Sequence, residues 1–431
     1  MARHEFRLAG AFQASRILIE FALCECPLAG SLPPGELDFS RLMARVAFVQ
    51  QAGGWSDAIR WDVMEPRVRI SSLGDVFVNQ DFIDNVLIPF GRAGSDLRVD
   101  EAVKGYSKNL EQPGGAPKSS QGSLEEPFRA AWNEQFDVTF DGTRQFIDVV
   151  ERLGRARKEA VFAILRSELL GAKHEDRLVT GADELLKAWT LAPRAHWRDI
   201  PEGFEERDIN PWRFRRRLTT LRRPFIQLDE TDDPTILVAP GFVRDAFGYV
   251  LRNFYRGDFP PRQLKPLMRA WTGKTADEQG KKFTKDVADR LMELGWRTDT
   301  EVKITKLLRK GFDRDYGDVD VLAWNEETGR VLIIECKDVQ YRKSFGEIAE
   351  QLSDFRGELG RDGKPDLLLK HLNRVALISE HPAELASYVE LSKAVTIGSH
   401  LVFRNPVPMQ FAWERMEARV RLNLFSGLDQ I

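Results

Sequence analysis

Cysteine is scarce in this chain, with only Cys24, Cys26 and Cys336 among 431 residues. Three thiols build neither the disulfide framework of a small secreted domain nor a four-thiolate zinc site. Histidine lacks pattern as well: His4, His174, His196, His371, His381 and His400 show no metal-ligand spacing. No stretch reaches the ~20 consecutive apolar residues of a helical membrane span. Glu20 and Glu25 interrupt the most apolar N-terminal run, Ile17 to Cys26, which makes it a poor secretory leader. Nor is there an excess of one charge, since 63 basic and 66 acidic side chains leave a net charge of −3. Any basic surface must therefore be local. What is present is an ordinary globular balance, 42% apolar and 30% charged, which supports large buried cores. At roughly 150 residues per domain the length suits two or three of them. The expectation is a cytoplasmic, multidomain protein without a membrane segment.

The sharpest compositional break is residues 105–121, GYSKNLEQPGGAPKSSQ, which reads as a linker or long loop. It separates an N-terminal mixed α/β region, 1–104, from a helix-rich middle region, 122–270. Helical spacing marks Phe12 to Leu23 and Phe39 to Gln51, and shorter strand-like runs such as RVRISSLGDVFV follow, ending near Phe90. From Pro127 to Trp197 the pattern is largely helical, with Phe146, Val149, Val150 and Leu153, then Val161, Leu165 and Leu169, at three- and four-residue spacing.

Residues 271–431 alternate helix and strand. A helix is expected from about Ala276 to Leu294, with Phe283, Val287, Leu291 and Leu294 on one face and Gly295 as its stop. A strand near Trp296 to Ile304 comes next. GDVDVLAW and RVLIIECK, separated by NEETG, then form the best hairpin in the chain. A second helix starts at Ser344, three residues before Glu347 as in a capping box, and carries Ile348, Leu352, Phe355 and Leu359. A strand RVALIS, a helix from about Pro382 to Ser392 and a strand around His400 to Arg404 complete the unit.

The hairpin carries the chemistry. A register pairing Trp324 with Val331 sets Asp320 directly opposite Glu335, with Cβ atoms ~5 Å apart. At that separation two carboxylates repel by roughly 3 kcal/mol in an effective dielectric of about 20, so the pair calls for a cation. Lys337 shares the face of Glu335, whereas Cys336 points the other way and reads as a small buried apolar residue. VLIIEC is apolar on both faces, so these charges end a strand covered on both sides. Two oxygen donors suit Mg2+ or Mn2+, and an adjacent lysine can orient or help deprotonate a water attacking a phosphodiester.

Asp320, fourteen residues, then Glu335-Cys336-Lys337 at a strand end resembles the PD-(D/E)xK nuclease superfamily. The resemblance covers about residues 276–405. It implies a restriction-endonuclease-like α/β domain with an α-β-β-β-α-β core, a mixed sheet flanked by helices, beside a helix-rich mixed α+β N-terminal region. It assigns the metal to Asp320, Glu335 and the main-chain carbonyl of Cys336, the water to Lys337, and a site-facing role to Gln351. Family members often carry an acid directly after the helix-one phenylalanine, where this chain has Thr284; Glu278 is the candidate replacement. The aspartate follows Gly317-Asp318-Val319 rather than proline, and Asp318 is either an alternative ligand or the ion-pair partner of Lys337.

Two other E-x-K-like tripeptides, Glu301-Val302-Lys303 and Asp362-Gly363-Lys364, lack an opposed carboxylate. Gly273-Lys274-Thr275 lacks the upstream glycine and strand of a phosphate loop. The segment PWRFRRRLTTLRRP interleaves Arg213, Arg215, Arg216, Arg217, Arg222 and Arg223 with Trp212 and Phe214. It either contacts phosphates and bases or pairs with the acidic run at Asp229 to Asp233. Arg342 and Lys343, just past the hairpin beside Tyr341, are further phosphate contacts. The expected function is a Mg2+- or Mn2+-dependent nuclease acting on DNA, in restriction or defence against foreign DNA. The alternatives are a nucleic-acid-binding or assembly protein with an inactive nuclease fold, and an RNA-cleaving effector. A homodimer or a partner protein would engage the N-terminal region.

Overall fold

The computed structural model describes residues 2–26, 33–97, 99, 125–213, 215–360, 362–412 and 420–431. The expected linker, 105–121, and Phe214 lie outside them. The chain forms two compact units, Met1–Gly54 with Gly114–Ala276 and Trp55–Pro113 with Asp277–Ile431. This differs from the division expected from composition, because the segment that begins at Trp55 belongs with the C-terminal residues. Ala58, Phe82 and Phe90 share a core with Ile348, Phe355 and Phe403. Such packing between distant stretches leaves no local mark in a sequence.

In the first unit, α1 (Ala2–Glu25) and α2 (Glu36–Arg60, whose residues from Trp55 belong to the second unit) precede α3 (Glu126–Phe136) and α4 (Phe140–Arg157). Thr139 caps α4 by accepting the Gly142 N–H at 3.0 Å, and the helix ends where Lys158 turns left-handed. Phe146, Val149 and Val150 form its buried stripe. α3 and α4 pack on a four-stranded sheet of β1 (Phe162–Leu165), β2 (Thr190–Leu191), β3 (Phe225–Gln227) and β4 (Thr235–Val238) in the order β1-β4-β3-β2. β1 is a correction to the helical reading at Val161 to Leu165, whereas Arg166–Gly171, with Leu169 buried, is helical as that reading expects. Phe162 and Ile164 alternate inward, so the period is two. α5 (Pro240–Tyr255) follows, and the core is aromatic, with Phe128, Trp132, Phe140, Trp189 and Phe254 buried together.

α6 (Pro266–Glu293) begins ten residues ahead of the expected helix and brings Phe283, Val287 and Leu291 to the second unit. There a five-stranded mixed sheet holds β5 (Arg297–Lys303), β6 (Asp318–Asn325), β7 (Arg330–Lys337), β8 (Thr396–Phe403) and β9 (Arg421–Leu424) in sequence order. β5, β6 and β7 are an antiparallel meander, and β7, β8 and β9 run parallel. Trp324 pairs with Val331, the register that the spacing predicts. Gly329 closes the hairpin at φ +69, where a Cβ would stand 2.7 Å from the Ala394 carbonyl oxygen. One face of the sheet, through Val321, Ala323, Leu332 and Ile334, packs on α6; the other, through Leu322, Val331 and Ile333, packs on Ile378 and Leu385.

Between β7 and β8 the chain forms α7 (Phe345–Ser353), α8 (Leu367–Ser379) and α9 (Pro382–Tyr388). Ser344 caps α7 as its spacing to Glu347 predicts, with its Oγ accepting the Glu347 N–H at 3.4 Å. α7 ends at Ser353, so Leu359 is 65% exposed instead of completing a buried stripe. The larger correction is RVALIS, which is helical, as the second half of α8. Asp366 starts that helix by accepting the Leu369 N–H at 2.7 Å, and its buried positions are Leu368, His371, Arg374 and Ile378. Two of the four are polar, which hides the helical stripe from a reading of apolar residues.

Candidate active site

The ladder between β6 and β7 runs from Asn325↔Arg330 to Val321↔Ile334. Past that pair a side chain takes over from the backbone: the Cys336 N–H donates to Asp320 Oδ2 at 2.7 Å. Asp320 is thereby fixed beside Glu335, itself 6% exposed. Both Glu335 oxygens are held by cations, Oε1 by Lys337 Nζ at 2.6 Å and Oε2 by the Arg374 guanidinium. His371, one turn before Arg374 on α8, places Nδ1 3.8 Å from the same Oε2, and its Nε2 meets Ser399 Oγ at 2.9 Å. Arg374 Nε donates to the Tyr316 carbonyl at 3.1 Å, which ties the chain just before β6 to the same cluster.

Burial first, and then the negative charge of Glu335, push the Asp320 carboxyl up to about 7, against the opposing pull of Lys337. Burial also raises Glu335, yet Lys337 and Arg374 outweigh it and hold that carboxyl below its ordinary value. For Lys337 burial works against the charge, but Glu335 more than compensates and raises its pKa, so it is an ammonium at neutral pH. His371 is driven by burial down to about 4 and is neutral. The pair is thus split: Glu335 is a fixed anion, and Asp320 exchanges its proton near neutrality. Burial pushes the Cys336 thiol far up, which leaves it inert toward nucleophilic chemistry, and Thr284 hydrogen-bonds to it.

The structure brings Asp320, Glu335, Cys336 and Lys337 together. Gln351 is buried on α7, where its Nε2 donates to the Gln340 carbonyl at 3.5 Å and its Oε1 has no hydrogen-bond partner among the described residues. Glu278 is exposed on α6, and the groups that act on the acid pair are Lys337, Arg374 and His371. Asp318 is exposed and registers with Lys303 on β5. Lys343 is exposed in the segment after β7, and its N–H meets Glu347 Oε2 at 3.5 Å; Arg342 is half-buried. Among the described residues no group of three or more His, Cys, Asp or Glu gathers as a metal cage.

The arginine run requires a correction. Arg216 is 3% exposed and pairs with Glu20, and Arg217 grips Asp208 at 2.6 Å while stacking 4.6 Å above Phe204. Arg215 reaches the Asp258 carbonyl at 3.3 Å. Arg222 bonds Gln263 Oε1 at 2.7 Å, and Arg223 bonds the Thr190 carbonyl at 2.8 Å. Arg216 and Arg217 therefore brace the first unit instead of facing a nucleic acid, and their acids are Glu20 and Asp208 rather than Asp229 to Asp233. Sequence reasoning missed Arg374 and His371. The available signal was a buried i, i+3 pair on a capped helix, which becomes readable once Asp366 is taken as the cap.

A family model described as "Anti-phage protein Upx-like" matches residues 1–424. The chain belongs to the Upx-like family of anti-phage proteins. Defence against phage is therefore its setting, and the match spans both units. Neither the curated proteins nor the solved structures contain a match. Among the described residues of this Upx-like chain, no helix is long and apolar enough to cross a membrane.

Proposed function

We propose that this Upx-like chain is a metal-dependent nuclease that cuts phage DNA, built on a restriction-endonuclease-like domain. The carrying observation is the convergence of Asp320 and Glu335 at adjacent strand ends, with Lys337 on one acid and the Cys336 N–H on the other. The order of helix, antiparallel meander, helices and parallel strand, with helices on both faces, supports the same reading.

The donor chemistry fits a hard divalent ion. Asp320 and Glu335 offer carboxylate oxygens, and a strand residue presents its N–H and C=O to the same side, so the Cys336 carbonyl faces toward Asp320. Burial beside a second acid raises the proton affinity of Asp320, the signature of an anion that a cation would relieve. Mg2+ or Mn2+ held by these three groups would supply positive charge for the phosphoryl oxygens. Lys337 keeps its proton, so it orients a water and adds positive charge rather than acting as a base. Arg374 holds Glu335 in its rotamer. Buried β7 keeps the cluster rigid, with Ile333 and Ile334 fully enclosed.

A second reading has its own support. Both Glu335 oxygens are already taken by cations, and no third acid joins the pair among the described residues, as a binding protein with an inactive nuclease fold would have it. Plasmid cleavage with Mg2+ separates the two. The nuclease reading expects cutting by the wild type and at least a hundredfold loss, about 3 kcal/mol of transition-state stabilisation, in Lys337→Ala and in Asp320→Asn. Undiminished cutting by both variants removes the site, and cutting of RNA with duplex DNA untouched moves the substrate to RNA.

A further inference from the structure

Arg374, which reaches Glu335, also lines a cleft of about 380 Å3 together with Arg314, Tyr316, Lys370 and Asn373, with Asp315 the one acid among its described lining residues. That acid is partly engaged, since its Oδ1 accepts the Gly317 N–H at 2.8 Å. Arg314 and Lys370 are exposed, whereas Arg374 is 9% exposed and reaches from the cleft wall to Glu335. One guanidinium therefore belongs to both the cleft and the acid pair. The chain between β5 and β6 also seats cations over rings. Lys310 Nζ lies 5.8 Å from the Phe312 centroid, and the Arg314 guanidinium lies 4.5 Å from that of Tyr316. Those rings meet edge-on at 5.5 Å and pack against the sheet core, which gives the long basic side chains firm bases.

We propose that this cleft takes the sugar-phosphate backbone of a DNA strand, with Arg314 and Lys370 holding phosphates that flank the one presented to Arg374. The choice of DNA rests on the nuclease reading above. Clustered cations with planar guanidiniums suit phosphodiester oxygens. The cleft supplies what the internal arginine run of the first unit does not.

The test is binding without catalysis. The full-length wild type in EDTA is titrated with a fluorescent duplex, its single strand and the RNA of the same sequence across a salt series. It is compared with Arg314→Ala/Lys370→Ala and with a control of equal charge change, Arg144→Ala/Lys187→Ala, two exposed cations of the first unit. The proposal expects the cleft variant to bind DNA about tenfold more weakly at low salt. The slope of log K against log salt should flatten by about 2, near 0.9 for each phosphate that the variant leaves unneutralised, with the control unchanged. An equal loss in the control, an unchanged slope, or binding of RNA alone overturns it. Wild type that never cuts yet shows this slope change keeps the cleft and removes the nuclease. Cutting with an unchanged slope does the reverse.

Discussion

Replacing Asp320 by Asn separates the stability of the site from its chemistry. Asn keeps an oxygen for the Cys336 N–H and removes the charge. The carboxyl stands at about 7 against an ordinary 3.8, and each tenfold change in proton affinity is worth about 1.4 kcal/mol. Ionising Asp320 inside the fold thus costs at most ~4 kcal/mol relative to the unfolded chain. A carboxyl raised in the folded state stabilises fully below about pH 4 and loses that contribution as pH rises through about 7. In EDTA, Asp320→Asn should therefore be more stable than the wild type at pH 8, by ~2–4 kcal/mol, and within ~1 kcal/mol of it at pH 4.5. Hydrogen exchange of the β7 amides reads this directly, because it reports opening of the second unit alone. Adding Mg2+ should slow exchange in the wild type and leave the variant unchanged. A variant that exchanges as fast as the wild type at pH 8, or faster, refutes the electrostatic account of the pair whatever the cleavage assay shows.

Arg374→Met strips Glu335 of one of two cations in a buried setting. It should destabilise the second unit by ~3–5 kcal/mol in the same exchange experiment, with Arg374→Lys intermediate. In the first unit, Arg216→Met should cost ~3–5 kcal/mol by leaving Glu20 buried and unpaired, while Glu20→Leu/Arg216→Met recovers most of that stability. Urea midpoints check this, and a surface role for Arg216 predicts no change in either variant. Asp366→Ala removes a carboxylate that takes N–H groups from Arg356, Gly357, Glu358 and Leu369. It should cost ~3 kcal/mol and speed proteolysis of the stretch 356–366, and a cleavage rate equal to that of the wild type counts against it.

What was legible in the sequence was local. The hairpin register, the Ser344 cap and the stripe of α6 follow from residue spacing over one or two turns, and the acid pair follows from the register. What was hidden depended on distant partners. Arg216 looks like a phosphate contact until Glu20, 196 residues away, is seen beside it. The second half of α8 reads as a strand because His371 and Arg374 hide the helix's inward stripe, drawn in by an anion on another element. Both misreadings come from treating charge as an outward signal, whereas here a buried acid makes a buried base the cheaper choice.

The second unit is assembled from two stretches of chain separated by most of the first. Phe82 and Phe90 emerge from the ribosome long before the residues that cover them, Phe355 and Phe403 among them. A nascent or truncated chain lacks that cover, and with it the setting of the acid cluster. Folding of the second unit therefore waits for both stretches, and most residues of the first unit are made in the interval between them.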